Sequence, residues 1–146
     1  MLIVQHDGYI LNPDLWTDEF LEYDYIGAPW EDGTVGNGGF SLRSQRLMET
    51  VASMTWRLHH EDCLICGPLR GPLEDAGFKF APTDVAARFS FERYAAGYQR
   101  TFGFHSAGAL AVISGRRQLV VPPKQAFSFS APAMANHRMG TGWRRS

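Results

Sequence analysis

An α/β fold is predicted by three features of the 146-residue sequence. Short β-rich apolar runs alternate with segments of helical period, and glycine- and proline-marked turns separate them. The composition, 45% hydrophobic and 20% charged, is that of a globular chain able to bury a core and not of a disordered one.

In chain order, "MLIVQ" reads as a buried strand that ends at the turn "HDG". "YILNPDLW" continues extended to an Asn-Pro turn. In "NPDLWTDEFLEY" the spacing of Leu15, Trp16, Phe20 and Leu21 predicts a short helix, with Asn12 or Asp14 as its cap. "DYIGAPW" reads as a strand closing in a Gly/Pro loop, "EDGT" as a surface turn, and "VGNGGFSL" as a loop followed by a short strand. The clearest helix is "RSQRLMETVASMTWRL", in which Leu47, Val51, Met54 and Leu58 share one stripe behind Ser44 as N-cap. "HHEDCLICGPL" opens a second helix, with Glu61 and Asp62 in its first turn and Gly67-Pro68 ending it. "GFKFAP" is a short strand. "TDVAARFSFE" is a helical turn capped by Thr83 or Asp84 and then a strand around Phe89 to Phe91, and "RTFGFHS" is a last extended piece.

The charge is divided unevenly. Residues 1–105 hold all 15 acidic and 8 of the 14 basic residues, a balance of −7, whereas residues 106–146 hold 6 basic residues and none acidic. The basic charges of the tail are scattered among Gly, Ala, Ser and Pro without a sustained period. Residues 106–146 are therefore expected to be an irregular, poorly ordered tail, and no nucleic-acid partner is expected. No apolar run reaches the roughly 20 residues of a membrane span, and the N-terminus lacks the basic and apolar regions of a signal peptide. With two cysteines, Cys63 and Cys66, a disulfide framework is not expected, and a cytoplasmic protein is the expectation.

Several residue groups have the right chemistry for a site. Asp7 follows the first strand, where a carboxylate either caps its own turn or holds a divalent cation. Glu61-Asp62 sits at a helix N-terminus, where the dipole favours negative charge by roughly 0.3–1 kcal/mol and where a carboxylate is also placed to act as general base. His59, His60, Cys63 and Cys66 offer zinc or redox chemistry, but a second ligand pair is missing, and two helical cysteines also pack as small hydrophobes. His105 gains a role if it meets Asp7. Gly36, Gly38 and Gly39 match neither a dinucleotide nor a P-loop pattern and mark a place where the backbone needs room.

The segments "QHDGYILNP", "YDYIGAPW", "VGNGGFSLRS", "HEDCLIC", "APTDVAARFSFE" and "FGFH", taken in this order, resemble a glycosyltransferase-like family of uncharacterised proteins. The resemblance covers residues 1–105. That family is itself similar to GT-A type, galactosyltransferase-like inverting enzymes, which implies a partial GT-A-like mixed sheet flanked by helices. It also implies a nucleotide-sugar donor, a glycan or other hydroxyl acceptor, and a divalent cation, Mn2+ or Mg2+. By this resemblance Asp7 and His105 bind the metal, although Gln5 stands where the family of enzymes has a first carboxylate. Asp62, with Glu61 beside it, takes the proton of the attacking hydroxyl. Asn37, Gly38 and Gly39 lie near the donor sugar, and Trp30 stacks on a sugar face. Such enzymes place a nucleotide-binding region before the metal-carrying strand, so the chain by itself is expected to be truncated and inactive. Two other readings are a non-catalytic carbohydrate-binding or accessory module and a small zinc or redox protein.

Overall fold

The computed structural model describes residues 1–54, 60–92 and 100–115. Its α/β architecture consists of six strands, five helices and two 3₁₀ turns among the described residues. The strands divide into two three-stranded sheets. In the first, β1 (Leu2–Val4) and β3 (Tyr25–Pro29) pair antiparallel on either side of β4 (Val35–Arg43). In the second, β6 (Gly103–His105) lies between β2 (Gly8–Ile10), antiparallel to it, and β5 (Ser90–Phe91), parallel to it. The Gln5 N–H donates to the Gly39 carbonyl at 2.8 Å and so carries β1 toward the turn into the second sheet.

All nine residues of β4 are buried, so the segment expected to be a loop followed by a short strand is one continuous strand at the centre of its sheet. Core packs around it in two clusters. Phe40 and Leu42 join Phe20, Ile26, Val85, Phe89 and Phe102; within this cluster Phe20 meets Phe89 edge-on at 5.2 Å between ring centres, an arrangement favoured by the ring quadrupoles. Tyr25 joins Leu47, Leu64, Ile65, Leu69, Leu73 and Phe80 in the second. β1, expected to be buried, exposes Leu2 and Val4 because it pairs on one side only.

Helix α1 (Gln45–Ala52) starts as expected, the Ser44 hydroxyl accepting the Leu47 N–H at 3.0 Å; Leu58, assigned to its stripe, lies outside the described residues. α2 (Glu61–Cys66) carries Glu61 and Asp62 in its first turn and ends at Gly67, also as expected. Elsewhere tertiary partners displace local expectations. The 13–22 segment forms two 3₁₀ turns, Pro13–Leu15 and Asp18–Glu22, instead of one helix. There Thr17 caps the second turn, while the Asn12 amide donates instead to the Thr101 carbonyl at 2.8 Å. Thr83 does not cap α4 (Thr83–Phe89); its hydroxyl donates to the Gly33 carbonyl. "GFKFAP" makes only an isolated bridge, Tyr25 to Phe80. α3 (Arg70–Asp75) was not anticipated, since it contains Gly71 and Pro72, poor helix formers; Pro72 sits in the first turn, where its missing N–H costs nothing. α5 (Ala107–Ile113) likewise stands where the irregular tail was expected to begin. The remaining tail, residues 116–146, lies outside the described residues. Among the described residues no helix is long and apolar enough to cross a membrane.

Candidate functional site

The site is organised by an irregularity in β4. Between the pairs Ile26–Leu42 and Ala28–Asn37, β3 advances by two residues and β4 by five. The surplus, which includes Gly38 and Gly39, bulges out of the ladder, a device that re-aims neighbouring groups. The glycines there have a visible purpose. A Cβ on Gly39 would fall under 3.0 Å from the His105 imidazole, and one on Gly38 would lie 2.7 Å from Arg43 Nη2 and 2.8 Å from Asp62 Cβ. At Gly36 the obstacle would be the Trp30 indole. Room over the glycines is thus taken by side chains of this chain. Asn37 is buried, and its side-chain oxygen accepts the Gly39 N–H at 2.9 Å, which stabilises the bulge.

On the Gly39 side, Asp7 and His105 face one another. β2 and β6 pair in register Gly8–His105 and hold the two residues together, with His105 Nε2 at 3.0 Å from Asp7 Oδ1. Asp7 Oδ2 accepts the Ala107 N–H at 3.1 Å, at the start of α5. Asp7 Oδ1 and His105 Nδ1 are buried without a hydrogen bond, an arrangement folded proteins rarely leave unexplained. Between His105 and α5, Ser106 holds φ at 132°, a costly conformation for a residue with a side chain. His6 is exposed, with Nδ1 3.9 Å from Asp7 Oδ1. Among the described residues no group of three or more His, Cys, Asp or Glu side chains is placed to hold a metal ion.

On the Gly38 side, the first turn of α2 packs against the bulge. Asp62 Oδ2 accepts the Gly38 N–H at 2.9 Å and Oδ1 accepts the Cys63 N–H at 2.8 Å. Glu61 Oε1 accepts from Arg43 Nη2 at 3.0 Å. The Arg43 guanidinium is itself buried over the Tyr25 ring, 5.2 Å from its centre, and Nε donates to Ser41 Oγ at 3.1 Å. Arg43 was not among the residues singled out from sequence; a lone arginine closing an apolar strand was the available signal. Cys66 is buried, and its burial pushes the thiol up to about 12; burial and the neighbouring Asp62 also raise Cys63. Thiols held protonated are poor nucleophiles. Of the two histidines grouped with these cysteines in the sequence, His60 is exposed at the start of α2 and His59 lies outside the described residues.

The fold therefore gathers most of the sequence candidates into two groups, each set against one of two adjacent glycines of β4. Gly38 and Gly39 are consecutive, about 3.8 Å apart, with Glu61 and Asp62 against the first and the Asp7–His105 pair against the second. Trip distances along β4 are short as well: Trp30 covers Gly36, two positions from Gly38.

A family profile described as a protein of unknown function (DUF5672) matches residues 1–105. The chain belongs to this family. The matched span of this DUF5672 chain contains every candidate from Asp7 to His105 and ends on the histidine itself. No curated protein matches the chain, and no solved structure does.

Proposed function

We propose that the chain carries the metal and acceptor side of a glycosyltransferase-like site, which transfers a sugar from a nucleotide-sugar to a hydroxyl acceptor with inversion. The observation that carries this reading is the half-buried Asp7–His105 pair. Two donor atoms at 3.0 Å, one of them without a hydrogen bond, match the roughly 3 Å between adjacent ligands of an octahedral cation with bonds of about 2.1 Å. The carboxylate oxygen suits Mn2+ or Mg2+, and the imidazole nitrogen favours the softer Mn2+ of the two. Such an ion would neutralise charge developing on a departing nucleoside diphosphate.

The chain's own residues have the following roles in this reading. Asp7 and His105 would hold the ion, while the Ala107 N–H engages the second Asp7 oxygen. The carboxylates of Glu61 and Asp62, across Gly38–Gly39, supply the acceptor for the proton of the attacking hydroxyl. Displacement from the opposite face needs a single base and no covalent intermediate. Asn37, Gly38 and Gly39 shape the floor between the two halves, and Trp30 offers an aromatic face beside it.

Isothermal titration with a panel of UDP- and GDP-sugars, with and without Mn2+, tests the reading. Manganese-dependent binding that is lost in Asp7→Asn is expected. Sugar binding that survives both EDTA and Asp7→Asn would instead favour a non-catalytic carbohydrate-binding module, and no binding in any condition would remove the transferase reading.

A further inference from the structure

Arg43 brings a full positive charge into the core: its side chain is 1% exposed, whereas that of its partner Glu61 is 54% exposed. Burying a guanidinium forfeits its hydration, and an apolar side chain would fill the same space at lower cost. The hydrogen bonds of Arg43 show what the charge is kept for. Nε is anchored on Ser41 Oγ, the ring of Tyr25 supports the guanidinium plane, and Nη2 points at Glu61 Oε1. Gly38 has no side chain, which leaves the path from Nη2 to Glu61 open.

The two neighbouring carboxylates are held differently. Both oxygens of Asp62 accept main-chain N–H groups, those of Gly38 and Cys63, so Asp62 ties α2 to the bulge. Glu61 accepts from Arg43 through one oxygen, and its side chain is largely exposed. Trp30 covers Gly36 on the same side of β4 as Gly38, about 7 Å along the strand, a distance that a pyranose ring spans.

We propose that Arg43 is a positioning residue that fixes Glu61 as the carboxylate receiving a sugar hydroxyl, with Asp62 as the tether of the bulge. The proposal rests on the glycosyltransferase-like reading for the identity of the ligand as a sugar. It goes further in separating the roles of the acidic pair and in assigning one to a residue outside it.

The test is a double-mutant cycle on the intact chain, with methyl glycosides of glucose, galactose and N-acetylglucosamine as probes and tryptophan fluorescence as readout. Glu61→Gln is expected to weaken binding of the best probe about tenfold by removing a charge-assisted hydrogen bond. Arg43→Lys keeps the charge but not the fork that bonds Ser41 and Glu61 together, and is expected to weaken binding by roughly fivefold. In the Glu61→Gln background, Arg43→Lys should have no further effect, because Arg43 acts through Glu61. If Arg43→Lys does not fold, Ser41→Ala, which removes the anchor of Nε together with the bond that the Ser41 hydroxyl donates to the Gly38 carbonyl, is expected to show the same dependence on Glu61. An equal loss in both backgrounds would show a separate structural role and overturn the proposal. So would wild-type affinity in Arg43→Lys, or no binding of any glycoside. Failure of Mn2+-dependent nucleotide-sugar binding alone, with the glycoside cycle still coupled, would sink the metal reading and leave this assignment supported.

Discussion

Replacing Gly39 by Ala adds one methyl group, and the structure specifies what it meets. The new Cβ would lie under 3.0 Å from three atoms of the His105 ring, against the roughly 3.5–4.0 Å of a relaxed carbon contact. The ring must therefore withdraw by at least about 0.5 Å, or β4 must shift. β4 is buried along its length and paired on both sides, so the ring is the softer partner. Its Nε2 stands 3.0 Å from Asp7 Oδ1, and a retreat of that size spoils the pair. Overpacking of this kind costs about 1–3 kcal/mol, which for a chain of this size lowers the midpoint of thermal unfolding by roughly 3–10 °C. In the proposed metal reading, Mn2+ affinity measured by isothermal titration should fall at least about tenfold. Gly71→Ala is the control. Nothing lies within 4 Å of a Cβ there, and the residue is in helix α3, so it should stabilise the protein by about 0.5–1 kcal/mol and leave metal binding alone. Unchanged Mn2+ binding and stability in Gly39→Ala would refute the argument that this glycine exists to seat His105.

Three further outcomes are expected. Burial raises the Asp24 carboxyl, but hydrogen bonds from Ser44 Oγ, the Lys79 N–H and Arg46 outweigh it and leave the pKa below its ordinary value. The stability this contributes is present above the unfolded value of about 3.9 and is lost as pH falls through the lower folded value; denaturant titrations from pH 6 to pH 2 should show a smaller loss in Asp24→Asn than in the wild type. Ser44→Ala removes both the α1 cap and the 2.6 Å bond to Asp24, and should cost about 1–2 kcal/mol by urea unfolding; a change under a few tenths would contradict that double role. Iodoacetamide at pH 8 should label exposed Cys63, slowly because its thiol is raised, and should not label buried Cys66 until the chain unfolds. Mass spectrometry showing native labelling of Cys66 would count against its placement.

Elements built from neighbouring residues were legible before the fold was known. Ser44 caps α1 because its hydroxyl reaches an N–H three positions on, a purely local geometry. α2 was legible for the same reason, with acidic residues in its first turn and glycine at its end. Where the sequence reading erred, a distant partner had claimed the group. Asn12 and Thr83, expected to be caps, bond instead to the carbonyls of Thr101 and Gly33. The stretch expected to be a loop followed by a short strand is a continuous central strand because β1 and β3 pair with it on its two sides, and the Asp62 and Asn37 side chains take the N–H groups of the bulged glycines.

The candidate site divides in the same way. Residue types and their order identified Asp7, Glu61, Asp62 and His105 as chemically capable groups, and the glycines as places of close approach. What lies against those glycines depends on which strands pair and in which register. The Gly8–His105 register sets Asp7 before His105, ninety-eight positions away in sequence, and no local preference encodes it. The burial of Arg43 is likewise a tertiary outcome: its charge is tolerated only because Ser41, Tyr25 and Glu61 meet it in the folded chain. Sequence by itself determined the α/β class, the Ser44 cap of α1 and the family through residue 105; packing alone decided that two consecutive glycines in a bulged strand meet the acidic pair and His105 respectively, because side-chain neighbours are set by strand register and not by sequence distance.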